Sequence, residues 1–311
     1  MDTPLVSYIM TARNFEQFID EAIASVMAQD YPAIELIVVD DASTDKTTEK
    51  IQRWAAHDSR IVAIYNTQPV LPPKGRNIAV SRSHGEYLAI LDSDDVALPD
   101  RTRVQVEYLE SHSDIAAAGS HAETIDKNST TIGFKHKSKN ISDIRFAMLL
   151  QSQFIHSSMM IRRSVFEEFG GYRNEYVYAE DYDLFSRMLE KYLVTNVDKV
   201  LIKFRSQSGG VTTQSGSQKI QMESSLKVTL RNCAPYIAFS PEKTKLLTDM
   251  MNNKDISLFE TLKALRMYTK LTHAYLNKSR LVANESSGVL EIYRNKRLAI
   301  LIGRLKKLLT F

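Results

Sequence analysis

The sequence predicts an α/β fold, with a mostly parallel sheet flanked by helices and a helical C-terminal extension. Three observations carry this. Four short apolar runs lie in the first hundred residues, and the segments between them repeat at helical spacing. Polar residues gather just after three of those runs. Beyond a stretch rich in glycine, serine and glutamine, long segments mix leucine with lysine.

Taken in order, Leu5 to Met10 reads as a buried strand. Asn14 stands at an N-cap position with Gln17 three residues on, ahead of Phe15, Phe18, Ile19, Ala22, Ile23, Val26 and Met27 at helical spacing. The "DYP" at Asp30 stops that helix. Ile34 to Val39 is a second buried strand, and "DDASTD" after it supplies helix-start residues for Thr47 to Ala56. Ile61 to Tyr65 is a third strand, Lys74 to Ser83 a helix, and Tyr87 to Leu91 a fourth strand. Strict alternation of strand and helix argues for a parallel sheet covered on both faces.

The middle of the chain is less regular. Ile115 to Ala118 and Ser158 to Ile161 read as strands, and "AEDYDLFSRMLEKY" as a helix with Leu184, Phe185, Met188 and Leu189 inward. "RSQSGGVTTQSGSQ" from Arg205 marks a loop or domain boundary. The expected division is residues 1–212 as one domain, with a ligand-binding half (1–100) and a less regular second half (101–212), then a helical region 213–311.

Composition narrows the function. A net charge of +3 over 311 residues gives no global case for nucleic-acid binding. A single cysteine, Cys233, excludes an intramolecular disulfide and argues against a thiolate metal site. The N-terminus passes into a strand pattern without signal-peptide features, and no apolar run approaches the ~20 residues that span a bilayer. The cytosol is the expected compartment.

Ligands of parallel sheets bind beyond the carboxyl ends of the strands. There the chain carries "TAR", "DDAS" and, in "LAILDSDDVALPD", the acids Asp92, Asp94 and Asp95. A solvated turn that caps the next helix is one reading of such acids. An EF-hand fails, because its sixth and twelfth positions are Ala97 and Arg103. An aspartyl phosphatase fits the D-x-D-x-V pattern of Asp92, Asp94 and Val96. A Mg²⁺ or Mn²⁺ site serving a nucleotide diphosphate is the third reading. The neighbours favour it: Thr11, Arg13, Asp40 and Asp41 can floor a nucleotide site, with Arg76 and Asn77 in the following helix. No G-x-G-x-x-G or P-loop is present.

The stretch "PLVSYIMTARNFEQFIDEAIASVMAQDYPAIELIVVDDASTDKT" resembles the N-terminal signature of the family 2 inverting glycosyltransferases, which have the GT-A fold, a Rossmann-like arrangement. "GRNIAVSRSHGEYLAILDSDDVALPDR" is similar to that family's next block with its D-x-D. "HSSMMIRRSVFEEFGGYRNEYVYAEDYDLFSRM" is similar to the acceptor half with its "ED" pair. The resemblance spans roughly residues 4–212. It departs from the pattern at Ala42, where glycine is usual, at Arg13, where an aromatic is common, and at Gln207, where histidine is frequent.

The resemblance implies a metal-dependent transfer with inversion from a nucleotide sugar, a UDP-sugar, to a hydroxyl of a glycan or lipid-linked glycan, as in bacterial surface-polysaccharide assembly. It implies that Asp41 accepts from uracil, with Thr11 and Asp40 near base or ribose, and that Arg13 stacks on uracil or meets phosphate. Arg76, with Asn77, faces the pyrophosphate; Asp92 meets ribose or a metal-bound water; Asp94 ligates Mn²⁺ or Mg²⁺. Asp95 is structural, capping the helix beyond Pro99. His156 and Glu180 belong to the acceptor side, and Asp181, at a helix N-terminus that favours negative charge, is the catalytic base. Asp183 is structural. A non-catalytic nucleotide-binding scaffold is the remaining alternative. At the C-terminus, Leu298, Leu301, Ile302, Leu305, Leu308 and Leu309 form an apolar stripe among six basic residues from Arg294 to Lys307. Such a helix suits an anionic membrane surface at the inner face, or packing on the catalytic domain or in a homo-oligomer.

Overall fold

The computed structural model describes residues 3–206, 215–251, 254, 256–279 and 287–295. Its first half alternates as the sequence predicts: β1 (Val6–Ala12), α1 (Ile19–Met27), β2 (Ile34–Asp40), α2 (Thr47–His57), β3 (Ile61–Tyr65), α3 (Pro72–Ser81) and β4 (Tyr87–Ile90). These four strands run parallel, β1 between β2 and β4. Successive strand residues point to opposite faces, so Tyr8 and Met10 enter one core with α1 and α2 residues such as Ile19, Ile23 and Ile51. Ile9 enters a second core, with Ala79 and Val80 of α3. Both faces are covered.

The second half adds β5 (Val96–Ala97), α4 (Arg101–Ser111), β6 (Ile115–Ile125), β7 (Thr131–Lys135), α5 (Ile141–Ala147), a 3-10 turn (His156–Ser158), β8 (Met160–Arg162), α6 (Arg163–Glu168), α7 (Glu180–Met188) and β9 (Leu193–Arg205). In the described residues nine strands form one sheet, in the order β3-β2-β1-β4-β8-β6-β9-β5, with β7 on β6. β8 is antiparallel to both β4 and β6, and this inserted strand carries the sheet from the first half to the second.

Several local expectations are corrected. Asn14 does not cap α1, whose N-cap is Phe18, four residues later. Asn14 instead takes φ +60°, and its side-chain oxygen accepts from the Thr44 amide at 2.8 Å. Thr11 and Ala12 belong to β1 itself, because they pair with Val39 and Asp40. Ser158 lies in the 3-10 turn before β8, not in the strand. Asp95 does not cap α4, whose N-cap is Asp100.

After the glycine-rich stretch come α8 (Ser215–Cys233), α9 (Pro241–Met251), α10 (Leu258–Ser279) and α11 (287–295). Val228 of α8 is buried in the same core as Leu184 and Phe185 of α7. Tyr182 Oη donates to the Met148 carbonyl at 3.0 Å and Asn232 Nδ2 donates to it at 2.9 Å. A smaller cluster, with Phe146, Cys233, Tyr268 and Tyr275, joins α5 to α8 and α10. Gln207 and the stripe from Leu298 to Leu309 lie outside the described residues. Among the described residues no helix is long and apolar enough to cross a membrane.

Candidate active site

A cavity of ≈ 500 Å³ opens where β1, β2 and β4 end, and its far wall is built by α7, the end of β9 and α8. Thr11, Arg13 and Asp41 line the first side, Asp92, Asp94 and Asp95 the strand-end loop, and His156, Glu180 and Asp181 the opposite side. Asp41 is buried, and its Oδ1 accepts from Asn66 Nδ2 and the Val70 amide, both at 2.8 Å, so it fixes the loop before α3. Gly75 of α3 lies so near Thr11 that a Cβ there would be 3.2 Å from the threonine methyl.

Two expected site residues lie off the cavity wall. Asp40 is 2% exposed, and its carboxylate accepts from the Ser43 amide at 3.2 Å and from the hydroxyls of Ser43 and Thr48. It therefore shapes the entry to α2. Asn77 clasps the backbone of Tyr172, donating to its carbonyl at 2.7 Å and accepting from its amide at 3.1 Å. The neighbouring Gly171, at φ +68°, leaves space for that clasp, since a Cβ there would stand 2.8 Å from Asn77 Oδ1.

Arg76 ties the two sides together. It is buried; Nη2 donates to Asp92 Oδ1 at 2.7 Å and Nη1 to Glu180 Oε1, a residue 104 positions away. Burial works against its charge, but the two carboxylates prevail and raise its pKa. Burial opposes ionisation of Asp92 too, and there Arg76 wins, so the carboxyl is held below its ordinary value. Glu180 goes the other way: burial pushes it up to about 7 despite Arg76, with Asp181 adding to the rise. Burial, and then the charge of Arg76, bring His156 down to about 4, so its ring is neutral at pH 7. His156 Nε2 lies 2.8 Å from Tyr172 Oη.

Asp181 opens α7 half-exposed on the cavity wall, where Oδ2 accepts from Ser152 Oγ at 3.4 Å. Asp183, two residues on, is fully buried and meets Arg187, Arg231 and Arg173.

The strand-end acids offer a hard, all-oxygen donor set of the kind that suits Mg²⁺ or Mn²⁺. Asp95 Oδ1 accepts from the Arg205 amide at 2.7 Å, while its buried Oδ2 has no hydrogen-bond partner. Burial, then Asp94 and Asp92, raise the Asp95 pKa well above the ordinary value, as expected where several acids share one loop. Among the described residues no group of three such side chains could hold a metal alone. The set fits a cation that completes its shell with diphosphate oxygens.

Sequence patterns did not single out Leu71, Tyr178, Phe204, Arg205 or Gln221 as lining residues. Leu71 and Tyr178 take φ +71° and φ +62°, a conformation costly for side-chain-bearing residues and often concentrated at functional sites. Gln221 reaches the cavity from α8, donating to the Tyr178 carbonyl at 3.2 Å. Arg205 pins the strand-end loop: Nε donates to the Asp94 carbonyl at 2.8 Å and Nη2 to Glu21 Oε2 at 2.6 Å.

The family model for glycosyl transferase family 2 matches residues 7–170. A Haemophilus influenzae protein named as an uncharacterized glycosyltransferase is 33% identical over 266 residues, 83% of this chain and 80% of its own. An Escherichia coli protein, the UDP-Glc:alpha-D-GlcNAc-diphosphoundecaprenol beta-1,3-glucosyltransferase WfaP, is 29% identical over 72% of this chain and 86% of its own. Among solved structures, the Pyrobaculum calidifontis mannosyltransferase PcManGT, in complex with GDP-Man and Mn²⁺, superposes with a TM-score of 0.58. It is 18% identical and covers 99% of this chain and 87% of its own, a likeness of fold.

Proposed function

The chain belongs to glycosyl transferase family 2, has the GT-A fold and is a glycosyltransferase that uses a nucleotide sugar; from that premise we propose that it moves a sugar from a UDP-sugar to a hydroxyl of a lipid-linked glycan, with inversion at the anomeric carbon and with a divalent cation. Family membership displaces the aspartyl-phosphatase and scaffold readings. One observation carries the proposal. The carboxylates of the strand-end loop and the lone half-exposed Asp181 approach one cavity from different halves of the chain.

Thr11, Arg13 and Asp41 take the uridine end of the donor. Asp94 would hold the cation, with Asp92 at the ribose or a metal-bound water; the cation when bound supplies positive charge beside the diphosphate. Arg76 is neutralised by Asp92 and Glu180, so it acts chiefly by holding Asp92 in place and joining it to α7. Asp181 accepts the proton of the acceptor hydroxyl. The oxygen forms its bond to the anomeric carbon as the bond to UDP breaks on the opposite face, and UDP leaves with that electron pair. Neutral His156 and the pair with Tyr172 shape the floor between the two sides. The Escherichia coli relative is named for a UDP-Glc donor and an acceptor on diphosphoundecaprenol, and that support extends here to the class of donor and acceptor.

The test is transfer from a panel of UDP-sugars with Mn²⁺ to a lipid-linked sugar, with the product read by proton NMR. The expected product has the anomeric configuration opposite to the donor's. A retained configuration, or activity unaffected by chelation, overturns the mechanism.

A further inference from the structure

Leu71, just ahead of α3, has φ +71° and ψ 156°. That region of backbone space is essentially reserved for glycine, and another residue persists there only when its surroundings hold it. Here both backbone groups are held. The Leu71 amide donates to Asp41 Oδ2 at 3.3 Å, and its carbonyl accepts from the Gly75 amide at 3.0 Å. Pro72 follows, and its ring disfavours helical backbone at Leu71. The side chain, by contrast, contributes little to the fold. It is 44% exposed and belongs to neither core of the sheet. Glycine would take the same backbone without strain, so the fold by itself does not account for a leucine here.

Leu71 lines the cavity on the side of Thr11, Arg13 and Asp41. Two contacts fix its place in that wall. One is the bond to Asp41. The other runs through Gly75, which accepts no side chain because a Cβ would stand 3.2 Å from the Thr11 methyl. Asp41 is itself nearly saturated. Its Oδ1 accepts from Asn66 Nδ2 and the Val70 amide, both at 2.8 Å, and its Oδ2 from Leu71. A carboxylate offers about four lone-pair positions, so among the described residues one remains, on the oxygen that Leu71 already shares. A ligand N–H that takes that position stands about 5 Å from the Leu71 nitrogen, within reach of a leucine side chain.

We propose that Leu71 is a nucleobase-binding residue, whose side chain covers one face of the uracil as Asp41 Oδ2 accepts from the ring N–H. This deepens the reading of Thr11, Arg13 and Asp41 as the uridine end of the site, and it rests on that reading. The strained backbone sets an exposed apolar side chain against a flat ring, and both surfaces leave water when the donor binds.

The experiment reads two quantities on the full chain with Mn²⁺ present: affinity for UDP by calorimetric titration, and melting temperature without nucleotide. Leu71→Ala should weaken UDP about five- to tenfold, the effect of losing about half a buried leucine side chain. Leu71→Gly should weaken it at least as much. It should nevertheless raise the melting temperature of the nucleotide-free chain by about 1–4 °C, because relief of strain exceeds the added chain entropy. Leu71→Met keeps an apolar side chain of similar volume and should bind UDP within about threefold of wild type. Inorganic pyrophosphate, which has no base, should bind all three variants as it binds wild type. Unchanged UDP affinity in Leu71→Ala, or pyrophosphate weakened as much as UDP, overturns the proposal. So does a loss confined to Leu71→Gly, which would mean loop ordering rather than contact. GDP titrated in parallel separates the underlying reading. A wild type that binds GDP and not UDP refutes the uridine assignment alone, and the same variants titrated with GDP then decide whether Leu71 meets the base.

Discussion

Asp181 and Asp183 sit two residues apart on α7, about 200° around the helix from one another, and the same change to asparagine should do opposite things. Asp181 is half-exposed, with a 3.4 Å bond from Ser152 Oγ, so Asp181→Asn should alter stability by no more than about 0.5 kcal/mol. Removing a general base costs ~10²- to 10⁴-fold in turnover, equivalent to about 3–5 kcal/mol in the transition state. Asp183 is 0% exposed, meets Arg187 at 2.9 Å and Arg173 at 3.8 Å, and also pairs with Arg231. Asn keeps its volume but leaves those guanidinium groups without their counter-charge, at a cost of about 3–5 kcal/mol and a fall in Tm of about 5–15 °C. Calorimetry gives the second quantity and UDP release with product mass spectrometry the first. Near-normal turnover by Asp181→Asn, or a Tm loss in it as large as that of Asp183→Asn, refutes the separation of roles.

Asp94→Asn should abolish the Mn²⁺-dependent rise in Tm produced by UDP without unfolding the chain; thermal shift with and without chelator reads this, and a surviving rise contradicts the assignment. His156, held down at about 4 by burial, is neutral in the folded state while the unfolded imidazole takes a proton below about 6.5. Its contribution is full above pH 6.5 and is lost as pH falls towards 4, by up to about 3 kcal/mol. Glu180, raised to about 7 by burial, acts with the opposite sign because its contribution is lost as pH rises. The His156 share is therefore the difference between wild type and His156→Gln across pH 4–7, and parallel curves for the two would exclude it. Ala42 stands at φ +56°, where a Cβ costs ~1–2 kcal/mol, offset in Ala42→Gly by about 0.5–1 kcal/mol of chain entropy. Denaturant melts of Ala42→Gly should show equal or slightly higher stability, and a loss above about 1 kcal/mol would mean that the methyl packs.

Much of the first hundred residues was legible because their faces are set locally. A strand buried on both sides must be largely apolar, and β1, β2 and β4 read that way, broken inside only by Ser7 and Glu35 before the polar strand ends. Strand β9 was not legible. Its "LVTNVDKVLIKFR" carries polar residues whose partners are distant in sequence, such as Asn196, whose Nδ2 donates at 2.7 Å to the carbonyl of Ser138 in the loop before α5.

The placing of Asp92, Asp94 and Asp95 at a strand tip, and of Glu180 and Asp181 at a helix start, follows from the sequence alone, since chain direction and side-chain period determine both. Which of them act together was decided by the tertiary structure. Asp40 and Asn77 carry the right chemistry for a nucleotide site, but nearer donors and acceptors in the α2 entry and at Tyr172 satisfy them first. Arg76 meets Glu180 only because β8, inserted antiparallel beside β4, carries the sheet from one half to the other and lets α7 close over the strand ends. A polar side chain bonds to whatever the fold brings within about 3 Å, and that neighbour is set by strand order, which local sequence spacing does not encode.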